Sequence, residues 1–278
     1  FLAKTLNAPL LFAQRSNAIR ENIILLKEEG LSIKEKVRAL AELVMFSRYE
    51  NLITHHARAI LFQSTYDEKE FLSRNPGAKG NTRVIPGNIG EPRFKKKHRG
   101  INHSNSCHKL LFVGNLGYRK GLRYLVDAMN ILENRGIREL ELDIIGPGDW
   151  DEWKNSFIKE NTAHNIRFHG RISDPFMFLE TSDLLVVPSI FDSFPDTVLE
   201  ALHTGTAVIG TRAGGIPDML LHDELLFPVQ NAMAIADIIE KCTTSSEYFQ
   251  KLKSLCTSRA SAFFFDWTQH WIDAASSL

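Results

Sequence analysis

The chain has 278 residues, of which 44% are hydrophobic, and it carries 33 basic and 33 acidic side chains. This composition predicts a soluble α/β protein with one large or two medium domains, and the zero net charge does not favour bulk attraction to nucleic acid. No apolar run approaches the ~18 residues that span a membrane. Three widely spaced cysteines argue against structural disulfides and a cysteine zinc site, and we expect a reducing, cytoplasmic compartment.

The first 90 residues alternate between short apolar runs and helical patterns. Strands are predicted at 9–13, 57–63 and 82–86, and helices at 21–30, 33–49 and 68–74. In the second helix Val37, Leu40 and Val44 recur at helical spacing. This βαβαβ order predicts part of a Rossmann-like domain, and we expect its opening strands to be missing.

Residues 91–108 are polar and lack periodicity, as in an interdomain linker. We interpret their basic run, 93–99, as a solvated segment; the alternative is attraction to an anionic membrane face or a lipid-linked acceptor.

Residues 109–260 predict a second Rossmann-like domain. Six strands, at 109–114, 140–146, 165–170, 184–188, 207–211 and 225–228, are separated by helical patterns. Strands joined by such helices form a parallel sheet, and ligands bind at the carboxyl ends of its strands. We interpret the aromatic-rich ending, 261–278, as a segment whose rings pack against the rest of the protein.

The most informative stretch, 188–217, contains a loop, a helix, a strand and a Gly-Gly loop. Ser193 and Asp196 have capping-box spacing, which would start a helix over 197–204 that Gly205 ends. Pro195 is compatible with a first turn. A helix N-terminus of this kind suits a phosphate, because its free N–H groups and dipole favour negative charge.

Two carboxylates flank that helix start. Asp192 precedes it, and Glu200 lies roughly 7 Å along the helix from Pro195, about the span from a diphosphate to its ribose. Glu200 can therefore accept both hydroxyls of a ribose, while Asp192 can accept hydroxyls of a sugar on the far side of the diphosphate. Taken singly, either residue is more typical of an exposed surface.

The Asp192-x7-Glu200 pattern, with LLVVPS before it and Gly-Gly-Ile-Pro after it, resembles the nucleotide-sugar site of retaining GT-B glycosyltransferases, most closely family GT4. The family pattern is E-x7-E, so the shorter Asp192 leaves the sugar preference open. The resemblance implies a GT-B fold of two Rossmann-like domains with parallel sheets. Residues 1–90 would be the end of an incomplete acceptor-side domain, and 261–278 a helix packing back on it.

Residues 114–121, GNLGYRKG, resemble the family segment in which an Arg and a Lys clamp the diphosphate. Lys120 matches the Lys, Gly114 opens the turn, and Asn115 stands where the family has Arg. Arg119 and Arg212 are the candidates to supply the lost charge.

The remaining donor-site residues come from the same resemblance. It implies that Ser193, Phe194, Asp196 and Thr197 line the donor site and that backbone groups near Ile172 hold the base. Asp149 and Asp151 form a D-x-D motif, which can hold a metal–diphosphate. The order of strands argues against that use, and no metal ligand is predicted.

The implied reaction moves a hexose or N-acetylhexosamine from a UDP- or GDP-linked donor to a glycan or lipid-linked acceptor, with retention and without a cofactor. Asp192, Lys120 and Glu200 are the predicted catalytic residues. The enzyme would act in the cytoplasm or at the inner membrane face, in polysaccharide or glycoconjugate synthesis. Two alternatives remain open: a nucleotide-sugar-binding fragment without transfer activity, and a nucleotide-sugar epimerase of the same fold.

Overall fold

The computed structural model describes residues 11–14, 17–28, 32–88, 106–157 and 163–276. Its first sheet is parallel and has the strand order β1-β2-β3. The strands are β1 (Leu11–Gln14), β2 (Ala59–Phe62) and β3 (Thr82–Val84). The helices of this part are α1 (Ala18–Leu25), α2 (Ile33–His56) and α3 (Thr65–Arg74). The predicted basic run, 93–99, lies outside the described residues.

The second sheet is also parallel and has the order β6-β5-β4-β7-β8-β9. Its strands are β4 (Lys109–Val113), β5 (Glu141–Ile145), β6 (Asn165–Phe168), β7 (Leu184–Val187), β8 (Ala207–Thr211) and β9 (Leu226–Phe227). Between and after them come α4 (Leu122–Asn134), α5 (Trp150–Phe157), α6 (Phe176–Thr181), α7 (Asp196–Thr204), α8 (Ile216–Leu220), α9 (Ala232–Thr244), α10 (Ser246–Ala260) and α11 (Trp267–Ser276). The predicted α/β fold with parallel sheets is confirmed.

Helix α2 begins with a capping box, in which Ser32 and Glu35 exchange hydrogen bonds. It continues to His56, seven residues beyond the predicted end. The stripe that predicted the helix is exposed, since Val37 is 59%, Leu40 53% and Val44 56% accessible. Periodicity thus located the helix but not the face that it buries.

The end of the described chain packs against the first sheet. Trp267 and Trp271 of α11 contact the small apolar cluster of Ala59, Leu61 and Ile85. Just before α11, the carbonyl of Phe265 accepts a hydrogen bond from Asn88 at 2.9 Å. These contacts tie the first sheet to the segment that follows the second. Within the described residues, no helix is long and apolar enough to cross a membrane.

A buried carboxylate joins three neighbouring strands of the second sheet. Asp143 on β5 accepts hydrogen bonds from Arg167 at 3.1 Å and His169 at 2.7 Å, and Lys109 of β4 lies 3.7 Å away. Its side chain is 2% exposed. Burial by itself raises the pKa of Asp143, but these donors outweigh it and hold the pKa below its ordinary value.

We expect Asp143→Asn to lower the free energy of unfolding by about 1.5–3 kcal/mol at pH 7, because charge-assisted hydrogen bonds are lost. Since folding lowers the pKa of Asp143, its contribution is present above about pH 4 and is lost as the pH falls through the folded-state pKa. Urea unfolding of both proteins at several pH values measures this. Glu141→Gln, at an exposed partner of Arg167, is the control and should cost under about 1 kcal/mol. A pH-independent loss would contradict the assignment.

Candidate functional site

The candidate site lies where the strand order of the second sheet reverses. Strand β4 sits between β5 and β7, so the chain winds outward from β4 in one direction and from β7 in the other. Such a reversal opens a crevice at the carboxyl ends of the two strands, which is where α/β sheets bind ligands. The loops after β4 and β7 form the two walls.

The β4 wall is a 3₁₀ turn, Tyr118–Lys120. Gly121 ends it with φ 69°, and a Cβ at this position would lie 2.0 Å from the carbonyl oxygen of Pro188. Only glycine permits both the conformation and the approach. The carbonyl of Arg119 also accepts a hydrogen bond from the Ile190 N–H at 2.8 Å. The turn is therefore fixed against the β7 loop.

The turn brings two cations to Asp192 of the β7 loop. Lys120 Nζ donates to Asp192 Oδ2 at 2.5 Å, and a guanidinium nitrogen of Arg119 lies 3.9 Å from the same oxygen. Arg119 also donates to the carbonyl of Phe191 at 3.1 Å. Asp192 is buried, and a buried charge needs such partners. Lys120 and Asp192 thus lie together, and Arg119 supplies a second positive charge.

Helix α7 begins next to this pair, but its cap differs from the prediction. Pro195 occupies the N-cap position and no side chain caps the helix, so the predicted capping box of Ser193 and Asp196 is wrong. Ser193 Oγ instead accepts a hydrogen bond from the Asn17 N–H at 3.0 Å. The helix therefore presents its first N–H groups without a side-chain cap, the arrangement that favours an anion.

Glu200 is buried on the second turn of α7, and Thr197 on the first turn is half-buried. Residues four apart share a helix face, so Glu200 follows Asp196 on one face. Gly205 ends the helix in the left-handed region, as predicted. Along the chain, Asp192 thus comes first, the uncapped start of α7 follows, and the buried carboxylate of Glu200 comes last.

Two predicted donor-site residues belong to the apolar core. The ring of Phe194 meets Phe263 edge-on at 6.2 Å between centroids, and it packs on the backbone of Gly87. Ile172 packs on the edge of the main core. The positions of these two side chains are therefore accounted for by packing.

Of three other predicted residues, two belong to the turn after β4 and the third forms an ion pair with an exposed residue. Gly114 ends β4, where its N–H donates to the carbonyl of Ile145 at 2.8 Å. Asn115 shapes the next turn, because its Oδ1 accepts from the Gly117 N–H at 3.2 Å. Arg212 pairs with the exposed Asp223 at 2.7 Å. Of the two candidates for the lost charge, Arg119 is the one beside Asp192.

Residues from the side of the first sheet complete the crevice, and no local sequence pattern predicted them. Asn17, which caps α1, donates through Nδ2 to Asp67 Oδ1 at 3.2 Å, in addition to its contact with Ser193. Thr65 donates through its N–H and its hydroxyl to Asp218 of α8, at 2.6 and 2.8 Å. The Thr65–Asp218 and Asn17–Ser193 partners are 153 and 176 residues apart, a separation that periodicity and motifs do not bridge.

Glu21 of α1 also faces the crevice. Its carboxylate lies 3.6 Å from a guanidinium nitrogen of Arg119. Burial raises the pKa of Glu21, Arg119 acts in the opposite direction, and the nearby Asp192 raises it further. A carboxylate from the first domain thus shares Arg119 with Asp192.

Neither D-x-D residue joins a metal cluster in this structure. Across the described ranges, no group of three or more His, Cys, Asp or Glu side chains is placed to hold a metal ion.

Comparison with known proteins identifies the family. The model of the family "Glycosyl transferases group 1" matches residues 107–245. The chain belongs to this family. The matched segment contains β4 to β9 and both walls of the crevice.

Individual relatives agree with this assignment. The chain is 30% identical over 129 residues to an uncharacterized glycosyltransferase of Methanocaldococcus jannaschii, covering 45% of this chain and 32% of that protein. It is 24% identical over 226 residues to the capsular polysaccharide biosynthesis glycosyltransferase CapH of Staphylococcus aureus, covering 68% and 62%. The chain therefore spans from about a third to less than two thirds of these relatives' lengths.

Solved structures identify the fold. HepE of Anabaena, in a crystal structure with UDP and glucose, superposes with a TM-score of 0.72 at 18% identity, covering 99% of this chain and 73% of that one. At this identity the likeness establishes the fold alone. The two parallel sheets are thus those of a GT-B glycosyltransferase fold.

The packing around the crevice leaves no room for a side chain at Gly215. Its N–H donates to the carbonyl of Asp192 at 2.9 Å, and a Cβ there would lie 1.9 Å from the oxygen of Ser193 and 2.6 Å from Ser64 Cβ. We expect Gly215→Ala to destabilise the protein by about 1–3 kcal/mol through overpacking. Chemical denaturation measures the loss.

Gly77→Ala is the matched control, because a Cβ at Gly77 meets no atom within 4 Å. That substitution should change stability by less than about 0.5 kcal/mol. Equal effects of the two substitutions would show that the Gly-Gly loop does not pack as described.

Proposed function

We propose that the chain is the donor-binding part of a retaining glycosyltransferase, which transfers a hexose or N-acetylhexosamine from a UDP- or GDP-linked sugar to an acceptor hydroxyl. One observation carries the proposal: the partly buried Lys120 pairs with the buried Asp192 beside the uncapped start of α7. Membership of the glycosyltransferase family supports it, as does the likeness to a structure determined with UDP and glucose.

The diphosphate would bind between the β4 turn and α7. Lys120 and Arg119 supply two positive charges, and the α7 N–H groups supply hydrogen-bond donors. Charge that develops on the leaving diphosphate would be stabilised by these preorganised groups. We propose that this arrangement functions without a metal ion.

The two carboxylates would hold the sugars on either side of the diphosphate. Glu200, buried on α7, would accept the ribose hydroxyls. Asp192 would accept hydroxyls of the transferred sugar, and the ligand's phosphate would replace it as a partner of Lys120. Donor binding thus exchanges one anion for another at Lys120, so the lysine keeps a partner in both states.

The acceptor is proposed to be a glycan, free or linked to a lipid. The relative CapH is a capsular polysaccharide biosynthesis glycosyltransferase, which supports a role in building polysaccharide. We place the reaction in the cytoplasm, at the inner face of the membrane when the acceptor carries a lipid.

Nucleotide binding tests the site. Calorimetric titration with UDP and GDP in the presence of EDTA should show binding of one of them. Lys120→Met and Glu200→Gln should each weaken that binding about 10- to 100-fold, because a charge-assisted hydrogen bond is worth roughly 1.5–3 kcal/mol.

Lys251→Met is the control, since Lys251 is exposed and pairs with Glu224 on the surface. It should leave the affinity unchanged. Binding that appears only after Mn²⁺ is added, or that neither site substitution weakens, would contradict the proposed donor site.

A further inference from the structure

A second cleft, of about 610 Å³, lies on the other side of the Tyr118–Lys120 turn from Asp192. This volume is within the range of about 300–1,000 Å³ that is usual for small-molecule sites. Its aromatic lining comes from Tyr118, Tyr124 and Trp153, and its floor from Leu116, Gly117 and Gly148. Leu116, Gly117 and Tyr118 belong to the 114–121 segment that also carries Lys120, whereas Tyr124, Gly148 and Trp153 lie outside it.

The aromatic side chains of this cleft are held in place. Trp153 is stacked on Trp150 at an interplanar angle of 9°, and Trp150 is stacked on Phe168 of β6. The hydroxyls of Tyr118 and Tyr124 both accept hydrogen bonds from Gln230 Nε2, at 2.9 and 2.8 Å. The rings therefore form a preorganised apolar surface.

Gln230, which joins the two tyrosines, has a strained backbone. Its φ of 57° lies in the left-handed region, which costs a non-glycine residue energy and is common at functional sites. Its side-chain amide lies between the hydroxyls of Tyr118 and Tyr124 and donates to both. These hydrogen bonds hold the two rings in addition to their packing.

The rim of the cleft is polar and comes from both domains. Lys27 and Glu28 follow α1, whereas Arg123 and Asp149 belong to the second domain. Glu28 accepts a hydrogen bond from the backbone of Tyr118. An aliphatic lipid chain would bury these charged groups against hydrocarbon, at a cost. The cleft therefore favours a ligand that offers both apolar faces and hydroxyl groups.

The cleft is lined by the loops after β4 and β5 and by helices α4 and α5, whereas Asp192 lies on the loop after β7 and Glu200 on α7. Helices α4 and α5, which border the cleft, pack on one another and α4 packs on α9, whereas α7, which carries Glu200, packs on α6 and α10. Successive residues of a 3₁₀ turn point about a third of a turn apart, so Tyr118 faces the cleft while Lys120 faces Asp192.

We propose that this cleft binds the saccharide part of the acceptor, with sugar C–H faces stacked on Trp153 and the tyrosines. The inference rests on the proposed function and names the substrate class of the second site. Hydroxyl groups of the saccharide would bond the polar rim. A hydroxyl at the end of the chain would then reach past the Tyr118–Lys120 turn toward the donor sugar.

A glycan array probed with the labelled full chain tests this proposal, with UDP and GDP affinity measured in parallel. The chain should bind a subset of the oligosaccharides, and Trp153→Ala should weaken that binding about tenfold or more. Trp153→Phe, which keeps an aromatic face, should restore most of it. Phe264→Ala, at an exposed aromatic outside the cleft, should have no effect.

The nucleotide measurement separates the two hypotheses. Nucleotide binding that Trp153→Ala leaves unchanged shows that the variant is folded, so a loss of glycan binding then supports the acceptor cleft. Glycan binding without nucleotide binding would support the cleft and contradict the donor site. If Trp153→Ala weakens nucleotide binding tenfold, the cleft is a pocket for the nucleotide base. If the unsubstituted chain binds nucleotide but no glycan on the array, the inference is overturned.

Discussion

The structure depends on the contact between Lys120 and Asp192, because it joins the two loops on which the site is built. A buried carboxylate is costly unless it is paired and hydrogen-bonded. Asp192 meets that requirement only when the β4 turn lies against the β7 loop, where Gly121 packs on Pro188. The same closeness places two cations beside the start of α7. A stability requirement and a binding arrangement are therefore met by one geometry.

The first domain contributes to this crevice through short polar contacts. Asn17 bonds Ser193, Thr65 bonds Asp218, and Glu21 approaches Arg119. Since hydrogen bonds are directional, these contacts favour one relative position of the two sheets. The Tyr118–Lys120 turn then lies between the Lys120–Asp192 pair and the aromatic cleft. This division matches the proposed transfer from a charged donor to a saccharide acceptor.

Local patterns predicted much of the second domain. Apolar runs located all six strands, and Gly205 marked the end of α7, because these signals act within a few residues. The spacing of Asp192 and Glu200 was informative because a helix converts sequence separation into distance. The fold was confirmed, whereas the roles of the individual site residues remain predictions.

Other features could not be predicted, because they depend on distant parts of the chain. Ser193 has the spacing of a cap, yet it is used by Asn17 across the domain boundary. The apolar stripe of α2 located the helix, but Val37, Leu40 and Val44 are exposed, so the spacing did not identify the buried face. Ile216 and Pro217 were expected in the Gly-Gly loop, but they begin helix α8, where Pro217 is allowed in the first turn. No single motif predicts the aromatic cleft, since its lining comes from three separate segments, 27–28, 116–124 and 147–153.

The exchange of anions at Lys120 is the central claim, and Asp192→Asn tests it most directly. The measurement is the affinity of this variant for the free nucleoside diphosphate and for the corresponding nucleotide sugar, each compared with the unsubstituted chain. The account predicts that the diphosphate binds as tightly or more tightly, because Lys120 no longer has a competing carboxylate, while the nucleotide sugar loses its advantage over the diphosphate. Equal weakening of both ligands would contradict the exchange and would make Asp192 a residue that only holds Lys120 in position.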